Sequence, residues 1–269
     1  LTVSGEPRAP KYMLDELGFG TRMAGEDLHG TAAVTPAMRV PGTPHLRTSI
    51  LAAWADTLTG LLATQVTIPR VPVTLDLDVQ LYGPAPVDGT VQGIARAVKA
   101  GRSVFAAEVE FTSSGGDPLA IANASFMMAP DARLRLPPGF SVELPASREP
   151  LAVPFAERAG CERRGPGVAV LPRREDGLNA SGTVNGGLLA LAAEEAALSL
   201  AQGRTLCSLS LRYLQPARVG PVIATATRRD GLGRVELRDS GNGGRLNCIA
   251  MTRTFPGESA WESAARPVR

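Results

Sequence analysis

Two stretches decide how this chain folds: Ser49-Ile-Leu-Ala-Ala-Trp-Ala-Asp-Thr-Leu-Thr-Gly-Leu-Leu-Ala63 and Gly187-Leu-Leu-Ala-Leu-Ala-Ala-Glu-Glu-Ala-Ala-Leu-Ser-Leu-Ala201. Laid together without gaps, they bring Asp56 onto Glu194 and match small or apolar residues elsewhere. Apolar residues recur at three- and four-residue spacing in both, Ser, Thr or Gly stands at each start, and no proline interrupts either run, so both read as helices. A long self-similarity of this kind points to a duplicated unit.

After each helix the period changes to that of a strand, with Val73-Thr-Leu-Asp-Leu-Asp-Val-Gln-Leu-Tyr-Gly-Pro84 in the first copy and Leu209-Ser-Leu-Arg-Tyr-Leu-Gln-Pro216 in the second. Further alternating runs cover Thr90 to Val98, Ser103 to Thr112 and Leu119 to Met128, then Val222 to Arg228, Arg234 to Asp239 and Leu246 to Phe255. Glycine-bearing turns such as Ser114-Gly-Gly-Asp117 and Asp230-Gly-Leu-Gly233 separate them. Each half therefore reads as a short leading strand, one long helix and a four-strand antiparallel meander. A helix and a twisted sheet of these lengths bury each other best when the sheet curls round the helix, which is an α+β hotdog, here in a tandem double form. The two sheets are expected to join edge to edge into one of about ten strands. The halves are placed at residues 12–130 and 161–255. Between them lies a linker, 131–160, whose Asp131 to Pro154 portion is Pro-rich; residues 1–10 and the 256–269 tail read as frayed ends.

Composition narrows the function. The 269 residues are 44% hydrophobic and 20% charged, an ordinary globular mixture. Aromatics supply only 4%, and the 28 basic and 26 acidic residues are interspersed, so neither stacking platforms nor a basic footprint points to nucleic acid. The three cysteines, Cys161, Cys207 and Cys248, are far apart, the two histidines, His29 and His45, are close together in sequence, and no metal-binding spacing occurs. Free thiols fit a reducing compartment, and the apolar helices are too short or too interrupted by acids to span a bilayer, so a cytoplasmic location is expected. No secretory leader is legible at the start. No Gly-x-Ser-x-Gly elbow and no phosphate cradle is present.

The segment Asn179-Ala-Ser-Gly-Thr-Val-Asn-Gly-Gly-Leu-Leu-Ala-Leu-Ala-Ala-Glu194, with Tyr213-Leu-Gln-Pro-Ala217, carries a resemblance. It resembles the hotdog acyl-CoA thioesterases of the phenylacetate-pathway type, whose signature is an Asn, a His-Gly-Gly at the helix start, and an acid two turns later. Here Asn185 stands in place of that His. The resemblance implies a site shared between hotdogs: Asn179 and Gly186 of the second half with Asp56 and Thr74 of the first, and Asn185 and Gly187 as substrate-binding neighbours. The complementary pocket would join Glu194 and Leu206 to Pro41 and Thr48, which offer no comparable chemistry, so Glu194 is expected to be a vestige and the chain to hold one working site.

The chemistry is also readable from the residues. Glycines at a helix start let a carbonyl approach backbone N–H groups at the positive end of the helix dipole, although they can equally serve close packing. An acid within an apolar helix is a candidate base or nucleophile, although one of Glu194 and Glu195 can be a solvated surface residue. The expected function is hydrolysis of an acyl-CoA or acyl-carrier thioester in lipid metabolism, without metal or cofactor. A non-catalytic acyl-CoA or lipid-binding double hotdog is the alternative, and an enoyl-thioester hydratase or dehydratase a weaker one. Acyl chain, thiol carrier, the choice between general-base and anhydride mechanisms, and assembly into a homo-oligomer are left open.

Overall fold

A computed structural model of the chain describes residues 12–84, 88–147 and 149–255. The first half runs β1 (Gly20–Ala24), β2 (Asp27–Ala33), α1 (Thr48–Thr67), β3 (Pro72–Leu81), β4 (Thr90–Ala100), β5 (Phe105–Ser113) and β6 (Pro118–Met128). The second follows with a short helix α2 (Phe155–Ala159), then β7 (Glu162–Gly165), β8 (Val168–Leu171), α3 (Gly186–Ser199), β9 (Leu206–Tyr213), β10 (Val222–Arg229), β11 (Leu232–Asp239) and β12 (Arg245–Thr254). The proposed frayed ends at 1–10 and 256–269 lie outside the described residues.

All twelve strands form one antiparallel sheet in the order β1-β2-β4-β5-β6-β3-β9-β12-β11-β10-β8-β7. This is a double hotdog. The sequence of neighbours reads the same from either end about the central β3–β9 pair, where Leu77 faces Leu211 and Asp78 faces Ser210. Two expectations need correction. Each half leads with a hairpin instead of one strand, which raises the sheet from about ten strands to twelve; β1, β2, β7 and β8 are short, and β1 and β7 lack a clean alternation. The strands after each helix are also not a simple four-strand meander. β3 pairs with β6 and β9, and β4 instead pairs with β2 and β5, so the first strand after the helix crosses to the far edge of its half. That placement brings the two halves into contact and carries Thr74 to the middle of the molecule.

Helix α1 is buried nearly all round in its first two turns, from Thr48 to Ala55, and α3 is buried from Gly187 to Leu198. A helix wrapped by a curled sheet and a second helix has little need of a polar face. The helices touch closely: a Cβ on Gly187 would lie 2.8 Å from the Ala53 Cβ. Trp54 of α1 stacks on Phe19 with ring centroids 5.2 Å apart, tying the leading segment to the core for about 0.5–1.5 kcal/mol beyond burial.

The Pro-rich segment is docked along the edge of the sheet. Thr21 and Leu144 exchange backbone hydrogen bonds of 2.8 and 3.2 Å, so β1 is covered along its outer side, and Leu151 N–H donates to the Glu16 carbonyl at 2.8 Å. A side chain at Gly20 would meet the Ala146 backbone at 2.8 Å, which explains the glycine there.

Candidate active site

Asp56 lies two turns into α1, where the helix passes the N-terminus of α3. Thr74 reaches it from β3 through a bulge. Between Thr74 and Asp76 the register against β6 slips by one residue, so Thr74, opposite Phe126, and Leu77, opposite Ala124, turn to the same inner face. Thr74 Oγ1 then donates to Asp56 Oδ1 at 2.8 Å. No ion pair to Asp56 occurs among the described residues: Arg39 pairs with Asp88, Arg47 with Glu194 and Glu195, and Arg70 donates to the Ala129 carbonyl. Burial therefore dominates, and it raises the Asp56 carboxyl to about 6 against the lowering effect of the Thr74 hydroxyl. What surface Asp56 retains faces a cavity of about 520 Å³.

The start of α3 forms the opposite wall. Asn185 is its N-cap: the side-chain Oδ1 accepts from Gly187 N–H at 2.7 Å, while its backbone carbonyl accepts from Leu188 N–H at 3.0 Å and Leu189 N–H at 3.2 Å. Of the first four N–H groups of this helix, that leaves Gly186 without a partner among the described residues. Gly186 lines the cavity, and a Cβ there would lie 3.3 Å from Asp56 Oδ2 and 3.0 Å from the Tyr213 hydroxyl, so only glycine leaves this space open. The polar end of the cavity thus combines a weakly partnered acid, a free N–H at a helix N-terminus and the Tyr213 phenol. Its remaining wall is largely apolar, including Val71, Phe126, Leu134, Leu189 and Leu214.

The residues sequence comparison brings to this site do not all behave alike. Asp56, Thr74, Asn185 and Gly186 converge. Asn179 lines the cavity, but its Oδ1 accepts from Ser181 N–H at 2.9 Å, Thr183 N–H at 3.2 Å and Thr183 Oγ1 at 3.1 Å. That side chain closes its own loop, and no hydrogen bond to Asp56 is found among the described residues. Gly187 does not line the cavity: its N–H is taken by Asn185, and its missing side chain admits Ala53. Glu194 is no idle remnant. Fully buried, it accepts from Thr48 N–H at 2.9 Å, Ser49 Oγ at 2.6 Å and Arg47 Nη1 at 3.2 Å, so the matching helix end in the other half is closed by an ion cluster. Glu195 is buried too, between Arg47 at 2.6 Å and Arg163 at 2.6 Å, which removes the surface reading for either acid. Thr48 Oγ1 meets the Leu206 carbonyl at 3.0 Å, whereas Pro41 is exposed.

Comparison with known proteins bears on the fold. The thioesterase superfamily family model matches residues 46–120, which hold α1, Asp56 and Thr74. Among solved structures, the 12:0-ACP thioesterase from Umbellularia californica is similar at TM-score 0.64 and 13% identity, covering 87% of this chain and 99% of that one. An acyl-ACP thioesterase from Bacteroides thetaiotaomicron gives 0.62 and 14%, covering 87% and 100%. The TesB protein of Mycobacterium avium subsp. paratuberculosis gives 0.56 and 16%, covering 91% and 98%. The chain shares the tandem double-hotdog fold of these structures, and residues 46–120 match the thioesterase superfamily model. No curated protein matches it.

Two residues of this candidate site escape a reading of the sequence alone. Tyr213 ends β9 and donates to the Gly186 carbonyl at 3.2 Å, and Tyr12, from the segment before β1, accepts a hydrogen bond from Asn185 Nδ2. Burial, with the Asp56 charge second, holds both phenols above their ordinary value and therefore protonated. Tyr213 sits in the quoted strand-end motif, so a signal existed for it; nothing local marks Tyr12. Among the described residues no group of His, Cys, Asp and Glu could hold a metal ion, and no helix is long and apolar enough to cross a membrane.

Proposed function

We propose that the chain hydrolyses acyl thioesters, with acyl-CoA as the substrate class, at one site between its two halves. The observation that carries this reading is the pairing of a half-buried, single-hydrogen-bonded Asp56 with the free Gly186 N–H at one end of an apolar cavity. Its volume of about 520 Å³ falls within the ~300–1,000 Å³ of ordinary ligand pockets. The acyl chain lies along the apolar wall, and the thioester carbonyl oxygen accepts from Gly186 N–H, where the α3 dipole favours the developing negative charge.

Asp56 with its raised carboxyl then removes a proton from a water as that water attacks the carbonyl carbon. Thr74 keeps one carboxylate oxygen turned away from the water path. Collapse of the tetrahedral intermediate breaks the C–S bond, and the proton held by Asp56 passes to the departing thiolate. Direct attack by Asp56 to give an anhydride, later opened by water, uses the same contacts.

Hydratase chemistry would want a histidine beside the acid, and neither His29 nor His45 lines the cavity. Two of the structural relatives are named for acyl-ACP, so acyl-ACP belongs in the same assay. The test is a panel of acyl-CoA and acyl-ACP thioesters with wild type and Asp56→Asn. Turnover by wild type that falls at least ~100-fold in the variant is expected. Tight acyl-CoA binding without turnover by either protein would instead establish the non-catalytic acyl-binding module.

A further inference from the structure

We infer that Tyr12 is a positioning residue for the thioester site, acting through Asn185 to leave Gly186 as the one free N–H donor at the start of α3. This rests on the proposed hydrolytic reading and deepens it. Three contacts make the argument. Asn185 Oδ1 is bound to Gly187 N–H at 2.7 Å, which fixes which end of the amide is oxygen. The Nδ2 end must then find an acceptor, and the Tyr12 hydroxyl is that acceptor. The remaining N–H groups of the first turn are taken by the Asn185 carbonyl, at 3.0 Å from Leu188 and 3.2 Å from Leu189.

Tyr12 is half-buried and does not line the cavity, whereas Asn185 does. It therefore stands behind Asn185 and makes no contact with the acyl group. Without the phenol, the Asn185 side chain loses the contact that holds its rotamer, and its amide is free to leave Gly187 and turn toward the cavity. Gly187 N–H would then be unpaired beside Gly186, and the donor geometry at the helix end would no longer be single. The tyrosine comes from the segment before β1, so the first half contributes to the α3 terminus at a second point besides Asp56. The other half shows what an undivided helix end looks like: there Glu194 occupies the Thr48 and Ser49 N–H groups directly, and no donor is left over.

Tyr12→Phe keeps the ring and removes only the hydroxyl. With a good acyl-CoA substrate, kcat should fall roughly five- to tenfold while KM stays within about twofold, as expected for loss of one hydrogen bond that acts on attack and not on acyl binding. Asn185→Ala should lower kcat at least as much, and Tyr12→Phe combined with Asn185→Ala should be no worse than Asn185→Ala alone. An arm independent of turnover uses the side-chain amide resonances of Asn185 in an NMR spectrum, assigned by their loss in Asn185→Ala. They should move in Tyr12→Phe. Multiplying effects in the double variant, an unchanged kcat in Tyr12→Phe, or unmoved Asn185 resonances would each overturn the inference. A wild-type protein without turnover whose Asn185 resonances still respond to Tyr12→Phe would sink the hydrolytic reading and keep the contact.

Discussion

Thr74 Oγ1 donates to Asp56 Oδ1 at 2.8 Å across the gap between β3 and α1, and no other hydrogen bond to that carboxylate is found among the described residues. Burial raises the carboxyl to about 6 and the threonine opposes it. A base must be deprotonated to act, so kcat/KM for thioester hydrolysis should rise with pH through an inflection near that value and level off above it. Thr74→Val removes the opposing hydrogen bond at nearly constant shape, so the inflection should move to higher pH and the plateau should drop. A pH–rate profile of both proteins checks this, and an inflection that moves down in Thr74→Val would contradict the assignment of the base.

The same carboxyl should weigh on stability. Its folded value of about 6 lies above the ordinary 3.8, so the folded chain binds that proton more tightly than the unfolded one, and stability is lost as pH rises from about 4 through 6. Asp56→Asn imitates the protonated form at every pH. It should therefore unfold later than wild type at pH 8, by on the order of 2–3 kcal/mol, and at about the same point at pH 4, while being the variant that loses turnover. Denaturant melts at the two pH values measure this; equal stability at pH 8 would mean that the carboxylate has partners beyond Thr74.

How much of this was legible in the sequence follows from the range of each interaction. The helices, the duplication and the double hotdog follow from periodicity and from Asp56 falling on Glu194, because apolar spacing is local. Asp56, Thr74 and Gly186 were reachable because the resemblance covers α1, β3 and the start of α3. The leading hairpins were missed because β1 and β7 are edge strands with weak alternation, and the position of β3 was missed because strand order in a sheet leaves no local mark. Asn179 matched a motif by position, yet its oxygen is used up by Ser181 and Thr183 two and four residues on, a competition that spacing does not reveal. Tyr12 meets Asn185 only through the folded chain.

The cluster at the other helix end predicts a separation of stability from activity. Arg47, Glu194, Glu195 and Arg163 are joined by contacts of 3.2, 2.6 and 2.6 Å in a region where Arg47 and Glu194 have essentially no exposure. Removing Arg47 leaves the buried Glu194 with no cation and Glu195 with Arg163 alone, so Arg47→Met should destabilise by about 3–5 kcal/mol. Glu194→Gln keeps an oxygen for the Thr48 and Ser49 N–H groups and leaves Arg47 paired with Glu195. It should cost less and leave kcat largely intact. Turnover assays beside chemical denaturation read both; a Glu194→Gln protein that folds but has lost activity would invert the pairing of halves.

Asn179 should govern binding more than chemistry. Its three hydrogen bonds shape the loop from Asn179 to Val184, which forms part of the cavity wall ahead of α3. Loosening that wall leaves Asp56 and Gly186 in place. In Asn179→Ala, KM for a long-chain substrate should rise by about threefold or more with kcat changed less. Steady-state kinetics decide it, and a kcat loss as large as that of Asp56→Asn would return Asn179 to the reacting centre.

The neighbouring glycines of α3 should separate by what a methyl group meets. At Gly187 the methyl would come to 2.8 Å from the Ala53 Cβ and 3.2 Å from its Cα, so the two helices must part where both are buried. Overpacking of that kind costs about 1–3 kcal/mol, and Gly187→Ala should melt earlier, with activity falling only as the helices shift. At Gly186 the methyl would meet side chains at the cavity and no backbone of a facing helix. It would sit 3.0 Å from the Tyr213 hydroxyl and 3.3 Å from Asp56 Oδ2, inside the space where a carbonyl has to approach the N–H. Alanine is also the better helix former, so Gly186→Ala should be about as stable as wild type or slightly more so. Its kcat should nonetheless fall by on the order of a hundredfold, the scale attached to displacing a reacting group by about 1 Å. Thermal melts and steady-state assays on the pair give four numbers with opposite patterns expected. If Gly186→Ala kept full activity, the carbonyl would have to be held elsewhere and the oxyanion role of this helix end would be lost.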